Sequence, residues 1–195
     1  MNDKEILEKA AEQKEMADFI LKESEIISML SEYGKTKVVG SYSYDLMTAP
    51  DIDIHVIVPK LSRGLVMSVF NKLIEQNYFY AYNIADFYDK AKRPGIDRGY
   101  LIGLRYWTPD AKWDSRWKFD IWFLEKENPY NKTVVDLIND KITPEKRLDI
   151  LRLKIWRDKY NTGIEAYNIY HAVLSQGINK PDDLIQYIED TKQKH

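Results

Sequence analysis

Apolar residues recur at helical spacing from the start of the chain: Ile6, Leu7, Ala10, Ala11, Ala17, Phe19, Ile20 and Leu21, then Ile26, Ile27, Met29 and Leu30. This predicts an entry helix, or two helices divided near Ser24, capped by Asn2 or Asp3 and stopped by Gly34. The period then changes. Lys37-Val38-Val39 is a short β-branched run ended by Gly40-Ser41, and Asp51 to Val58 alternates polar and apolar before turning fully apolar, so the segment reads strand, loop, strand. Pro59 ends the second strand, and Ser62 caps a helix whose buried stripe is Leu65, Val66, Val69, Phe70, Leu73 and Ile74.

Beyond Asn77 the chain becomes aromatic and β-prone. Tyr78 to Tyr82 reads as a strand, 86–95 as a loop, and Gly99 to Trp107 as another strand. The segment Thr108 to Arg116 then leads into a strand from Trp117 to Leu124 in an antiparallel hairpin. That connection, with Asp110, Trp113, Asp114 and Arg116, is longer than a tight turn needs; it is either an ordinary hairpin tip or a site-lining loop. From Asn128-Pro129 onward the pattern is helical, with a Thr143-Pro144-Glu145 start, a stop at Asn161 to Gly163, a further helix closed near Gly177 and a last one from Pro181 to about Lys192. The pattern as a whole predicts an α/β (α+β) chain: a mixed sheet flanked by helices over 1–127, followed by a helical annex over 128–195.

The chemistry concentrates on the strands. Side chains two apart on a strand share a face, so Asp51 and Asp53 point one way while Ile52 and Ile54 point into a core. Two fixed carboxylates side by side are costly without a cation, and hard Mg²⁺ or Mn²⁺ with oxygen ligands fits them. Asp120 sits between Phe119 and Ile121 and faces away from both. If its strand lies beside the first, three carboxylates converge and can hold two divalent ions roughly 3.5–4 Å apart, an arrangement suited to phosphoryl or nucleotidyl displacement. Three such charges repel one another, so at least one is expected to titrate above its ordinary value.

Gly40-Ser41, nine residues, then Asp51-Ile52-Asp53-Ile54, with Asp120 on a later strand, resembles the signature of the polymerase-β-type nucleotidyltransferase superfamily. The resemblance covers roughly residues 36 to 124. It implies that Gly40 and Ser41 grip the triphosphate of an NTP co-substrate, and that Asp51, Asp53 and Asp120 are catalytic and ligate Mg²⁺ or Mn²⁺. Asp120 is further implied as the general base toward an acceptor hydroxyl. The implied activity is transfer of an NMP group to a hydroxyl of a small molecule, as in antibiotic-modifying relatives, or of a protein. A different class remains open: a catalytically silent interaction or regulatory module on the same fold, antitoxin-like. Taken alone, Gly40-Ser41 is equally a tight strand-to-turn connection.

The loop after Ser41 departs from the resemblance in carrying Tyr42, Tyr44, Asp45 and Leu46 but no Lys or Arg. The basic helix with Arg147, Arg152, Lys154, Arg157 and Lys159 is then the candidate source of phosphate-neutralising charge, against the plainer reading of a solvated face. His55 continues onto the acid face, as a second partner or as structure, and His171 lies in an apolar helix and reads as structural.

Composition narrows the partners. With 29 Lys and Arg against 31 Asp and Glu the formal charge is −2, so there is no basic field to hold a polyanion and a nucleic-acid acceptor is disfavoured. The chain has no cysteine, which removes disulfides, thiolate metal sites and a cysteine nucleophile and fits a reducing cytoplasm. No apolar run approaches the roughly 18 residues of a membrane span, and no signal pattern opens the chain; a soluble cytoplasmic protein is expected. The 14 tyrosines and five tryptophans are read first as core and strand surface, and second as a lining on which a base or ring stacks.

Overall fold

A computed structural model describes residues 1–88, 98–106, 117–127 and 129–192. The first helix, α1 (Asp3–Glu23), starts with a reciprocal cap: Glu5 N–H donates to Asn2 Oδ1 at 3.0 Å and Asn2 N–H donates to Glu5 Oε2 at 2.8 Å. It ends at Ser24, and Glu25 in the left-handed region (φ 49°) turns the chain into α2 (Ile26–Ser31). The division expected near Ser24 is therefore present. Strand β1 (Lys35–Val39) leads directly into the single turn α3 (Gly40–Ser43) and then β2 (Asp51–Ile57). Ser62 caps α4 (Arg63–Ile74) by accepting from Leu65 N–H. Next come β3 (Phe79–Asp86), β4 (Gly99–Tyr106) and β5 (Trp117–Leu124).

The five strands form one mixed sheet in the order β1-β2-β5-β4-β3. β5 is its middle strand, parallel to β2 on one side and antiparallel to β4 on the other, while β1/β2 and β3/β4 are antiparallel. β3 runs four residues past Tyr82 because Asn83, Ile84, Ala85 and Asp86 continue the ladder opposite Gly103, Ile102, Leu101 and Tyr100. The connection from 107 to 116, with Trp113, Arg116 and the acids Asp110 and Asp114, lies outside the described residues, as does 89–97.

Alternation divides the sheet into two unlike faces. On one, Ile52, Ile54, Val56, Phe119, Ile121, Phe123, Ile102 and Leu104 are almost wholly buried and share a core with Ala17, Ile20, Ile26 and Leu30 of the first two helices and Val66, Val69 and Leu73 of α4. Burial of this many large apolar side chains is the main favourable term for the fold. The other face carries Asp51, Asp53 and His55 from β2 and Lys118, Asp120 and Trp122 from β5.

The chain groups into two compact units, Gln13–Asn128, and Met1–Glu12 together with Pro129–His195. The sheet belongs to the first, and the first twelve residues group with the C-terminal helices α5 (Pro129–Lys141), α6 (Pro144–Tyr160), α7 (Ala166–Gln176) and α8 (Pro181–Lys192). Thr143 caps α6 with Pro144 in its first turn, and Asn161 and Gly177 end α6 and α7 in the left-handed conformation. Three basic residues of α6 have partners within this unit. Lys154 is buried with its ammonium 3.4 Å from the Tyr170 hydroxyl, Arg152 joins Asp149 and Asp3, and Arg157 joins Asp158. His171 is bonded through Nδ1 to the Tyr187 hydroxyl at 2.8 Å. Among the described residues no helix is long and apolar enough to cross a membrane.

Candidate functional site

The site is built where β2 and β5 run side by side. Parallel pairing sets Asp53 abreast of Asp120 and Asp51 abreast of Lys118, and residues abreast share a face. One ligand oxygen from each of Asp51, Asp53 and Asp120 lies within 4.8 Å of the others. All three side chains are half-buried, held by strands whose opposite faces are locked in the core. The three acids singled out from the sequence are thus brought together, and among the described residues they are the cluster of acids and histidines close enough to hold an ion.

Gly40 and Ser41 come to the same place by a different route. β1 pairs with β2 so that Val39 stands opposite Asp53, which delivers Gly40 against the Asp53 carboxylate. Gly40 has a φ of 67°, and a Cβ there would overlap Asp53 Oδ2. Only glycine meets both conditions without strain. The turn is closed by the Ser43 hydroxyl donating to Gly40 O at 2.9 Å and by Leu46 N–H donating to Ser41 O at 2.9 Å. Tyr44 adds a phenol that feels the Asp53 charge; burial pushes its pKa upward, the bond from Ser43 opposes that, and the Asp53 carboxylate adds a smaller rise. Tyr42 turns away to α1, where its hydroxyl donates to Asp18 at 2.6 Å and Lys14 lies over its ring.

Several residues of this face were not singled out from the sequence. Lys118 is the first: its ammonium pairs with Asp120 Oδ2 and lies 3.5 Å from Asp51 Oδ1. Arg105 of β4 stands opposite Lys118 in the register and bears on Asp51 electrostatically. Gly103 stands opposite Asp120, and the Asn83 amide of the edge strand lies over it, where a Cβ would collide with Asn83 Oδ1. Two positive side chains and an amide therefore line the face that carries the acids. Strand alternation was a signal for Lys118, which is two residues from Asp120; the others depend on register.

Electrostatics follows from these positions. Burial pushes the Asp51 carboxyl above the usual carboxylate range, Lys118 and Arg105 pull it back, and Asp120 adds to the rise. The upward shift expected for one member of the cluster is present, with burial rather than mutual repulsion as its larger cause. Lys118 is pulled down by burial, but Asp51, Asp120 and Asp53 outweigh that and hold its ammonium pKa above the ordinary value. Both partners move upward for different reasons: burial outweighs the lysine's pull on Asp51, while on Lys118 the carboxylates, Asp51 foremost, outweigh burial. His55 belongs to a neighbouring polar group. It is almost fully buried, stands opposite Lys37, and helps Lys37 hold Glu127 low through a 2.8 Å ion pair.

A hard divalent cation fits this donor set. The candidate ligands are all carboxylate oxygens on rigid strands, and Asp51 Oδ1 is a buried oxygen whose cationic neighbour, the Lys118 ammonium, stands off at 3.5 Å. No protein-family model matches the chain, and no curated protein sequence matches it either.

Proposed function

We propose that the chain is a metal-dependent nucleotidyltransferase that moves an NMP group from an NTP to a hydroxyl of a small molecule or protein. The observation that carries this reading is the convergence of Asp51, Asp53 and Asp120 on two adjacent strands, with Gly40 packed against one of them. Asp51, Asp53 and Asp120 would hold Mg²⁺ or Mn²⁺, which supplies neutralisation of phosphate charge and a lowered pKa for the acceptor hydroxyl. Gly40 and Ser41 present backbone and hydroxyl to the phosphates beside Asp53. Lys118 and Arg105 supply positive charge that the loop after Ser41 lacks. Asp120 accepts the acceptor's proton as its oxygen forms a bond to the α-phosphorus; the bond to the bridging oxygen breaks and pyrophosphate leaves with the electron pair. The near-zero net charge favours a small or protein acceptor over a polynucleotide, and the lack of cysteine fits a cytoplasmic setting.

One observation favours a second reading, a catalytically silent, antitoxin-like module. The Lys118 ammonium already satisfies part of the acidic cluster, as a structural ion pair would. The two readings part on labelling with α-phosphate-labelled NTP and Mg²⁺ against a panel of hydroxylated acceptors. The enzyme reading expects label on an acceptor and its loss in Asp53→Asn. No transfer from any of the four NTPs, with no rise in melting temperature on adding Mg²⁺ and NTP, would leave the silent module.

A further inference from the structure

We propose that the Lys118 ammonium and the divalent cation compete for the same carboxylate oxygens, so that Lys118 acts as a tethered counterion which sets how much metal the site requires. The inference rests on the reading of Asp51, Asp53 and Asp120 as metal ligands. Lys118 is not a distant surface lysine. It projects from the middle strand two residues before Asp120, its ammonium pairs with Asp120 Oδ2, and the same nitrogen is 3.5 Å from Asp51 Oδ1. Those two residues carry two of the three ligand oxygens that lie within 4.8 Å of one another. An ammonium pressed on a carboxylate oxygen occupies lone pairs that a cation would use and adds one positive charge beside it.

The side chain has room to give way. Lys118 remains about one-third exposed, so its flexible stem can carry the charged end outward while its Cα stays fixed in the sheet. Arg105, opposite it in the next strand, belongs to the same row but is anchored on β4, one strand further from Asp51. Metal arrival therefore exchanges one cation for another, and the displaced ammonium becomes available to a phosphate brought to the same face.

The test uses Mn²⁺ alone, without nucleotide, on the full chain. Calorimetric titration of wild type, Lys118→Met and Lys118→Arg should show Mn²⁺ binding about tenfold tighter in Lys118→Met, the factor expected from removing one charge about 5 Å from a divalent ion under water-like screening. Lys118→Arg should stay near wild type. In the unaltered protein, modification of Lys118 by an amine-reactive reagent, read by mass spectrometry, should rise when Mn²⁺ is added; this readout decides the matter if Lys118→Met does not fold. Wild type that binds Mn²⁺ while Lys118→Met binds it no more tightly, or Lys118 labelling that Mn²⁺ leaves unchanged or lowers, overturns the competition and leaves the metal site standing. If wild type does not bind Mn²⁺ at millimolar concentration, the metal reading of the three carboxylates fails and the competition fails with it.

Discussion

Gly40 and Asp53 constrain each other, and the constraint gives a test of the site independent of turnover. Gly40→Ala would place a side chain in the left-handed region and against Asp53 Oδ2 at once. The expected cost is about 1–3 kcal/mol, seen as a fall of several degrees in melting temperature, together with weaker Mn²⁺ binding because Asp53 must turn aside. Calorimetry of the variant measures both. A second pair of variants separates binding from chemistry. Asp53→Asn should abolish Mg²⁺-dependent NTP binding, whereas Asp120→Asn should keep measurable NTP binding and lose about 10²- to 10⁴-fold in transfer rate, the size of a missing general base. Equal loss of NTP binding in both would mean that Asp120 is a ligand and no more. At this scale the acids were readable because strand period fixes which side chains share a face. The same period puts Lys118 on that face, but its contact with Asp51 arises from the parallel pairing of β2 with β5, which no local pattern encodes. Arg105, Gly103 and Asn83 were hidden for the same reason.

Among the elements, α1 is tied to the turn at α3 by a small polar cluster. Asp18 accepts from the Tyr42 hydroxyl at 2.6 Å and pairs with Lys14 at 3.1 Å, and Lys14 also lies over the Tyr42 ring. Burial raises the Asp18 carboxyl, but the Tyr42 and Lys14 bonds outweigh it and hold its pKa below the ordinary 3.8. A carboxylate depressed in the folded state binds fewer protons there than when unfolded, so its contribution is present above the unfolded value and fades as pH falls through the folded one. Asp18→Asn should therefore destabilise at pH 7, by less than about 1 kcal/mol for a side chain this exposed, and the gap to wild type should narrow in denaturation curves below about pH 4. A gap constant from pH 7 to pH 3 would show that the charge is not what holds the two elements. Element boundaries read well from sequence where a cap declares them, as at Ser62, Thr143 and Gly177. They read poorly at β3, whose polar half is a strand only because β4 continues beside it, and on α6, where Lys154 is buried against Tyr170 on a helix that looks solvated.

At the scale of the whole chain, the mixed α+β class follows from the alternation of periods along the sequence, while the sheet order does not. β5 comes last of the strands and is placed in the middle, between β2 and β4, so hairpin pairing with β4 is local and pairing with β2 closes a long loop. That order has a kinetic consequence. The cluster of Asp51, Asp53 and Asp120 cannot exist until the last strand to be synthesised has docked against the second, and contacts that require so long a closure tend to form late in folding. An ion held by them would bind after the rate-limiting barrier rather than before it. In stopped-flow experiments Mn²⁺ is then expected to slow unfolding while leaving the refolding rate unchanged, because a ligand absent from the transition state stabilises only the native side of the barrier. Refolding that accelerates with Mn²⁺ would mean instead that the ion recruits β5 to the sheet, and that the metal guides the topology rather than waiting for it.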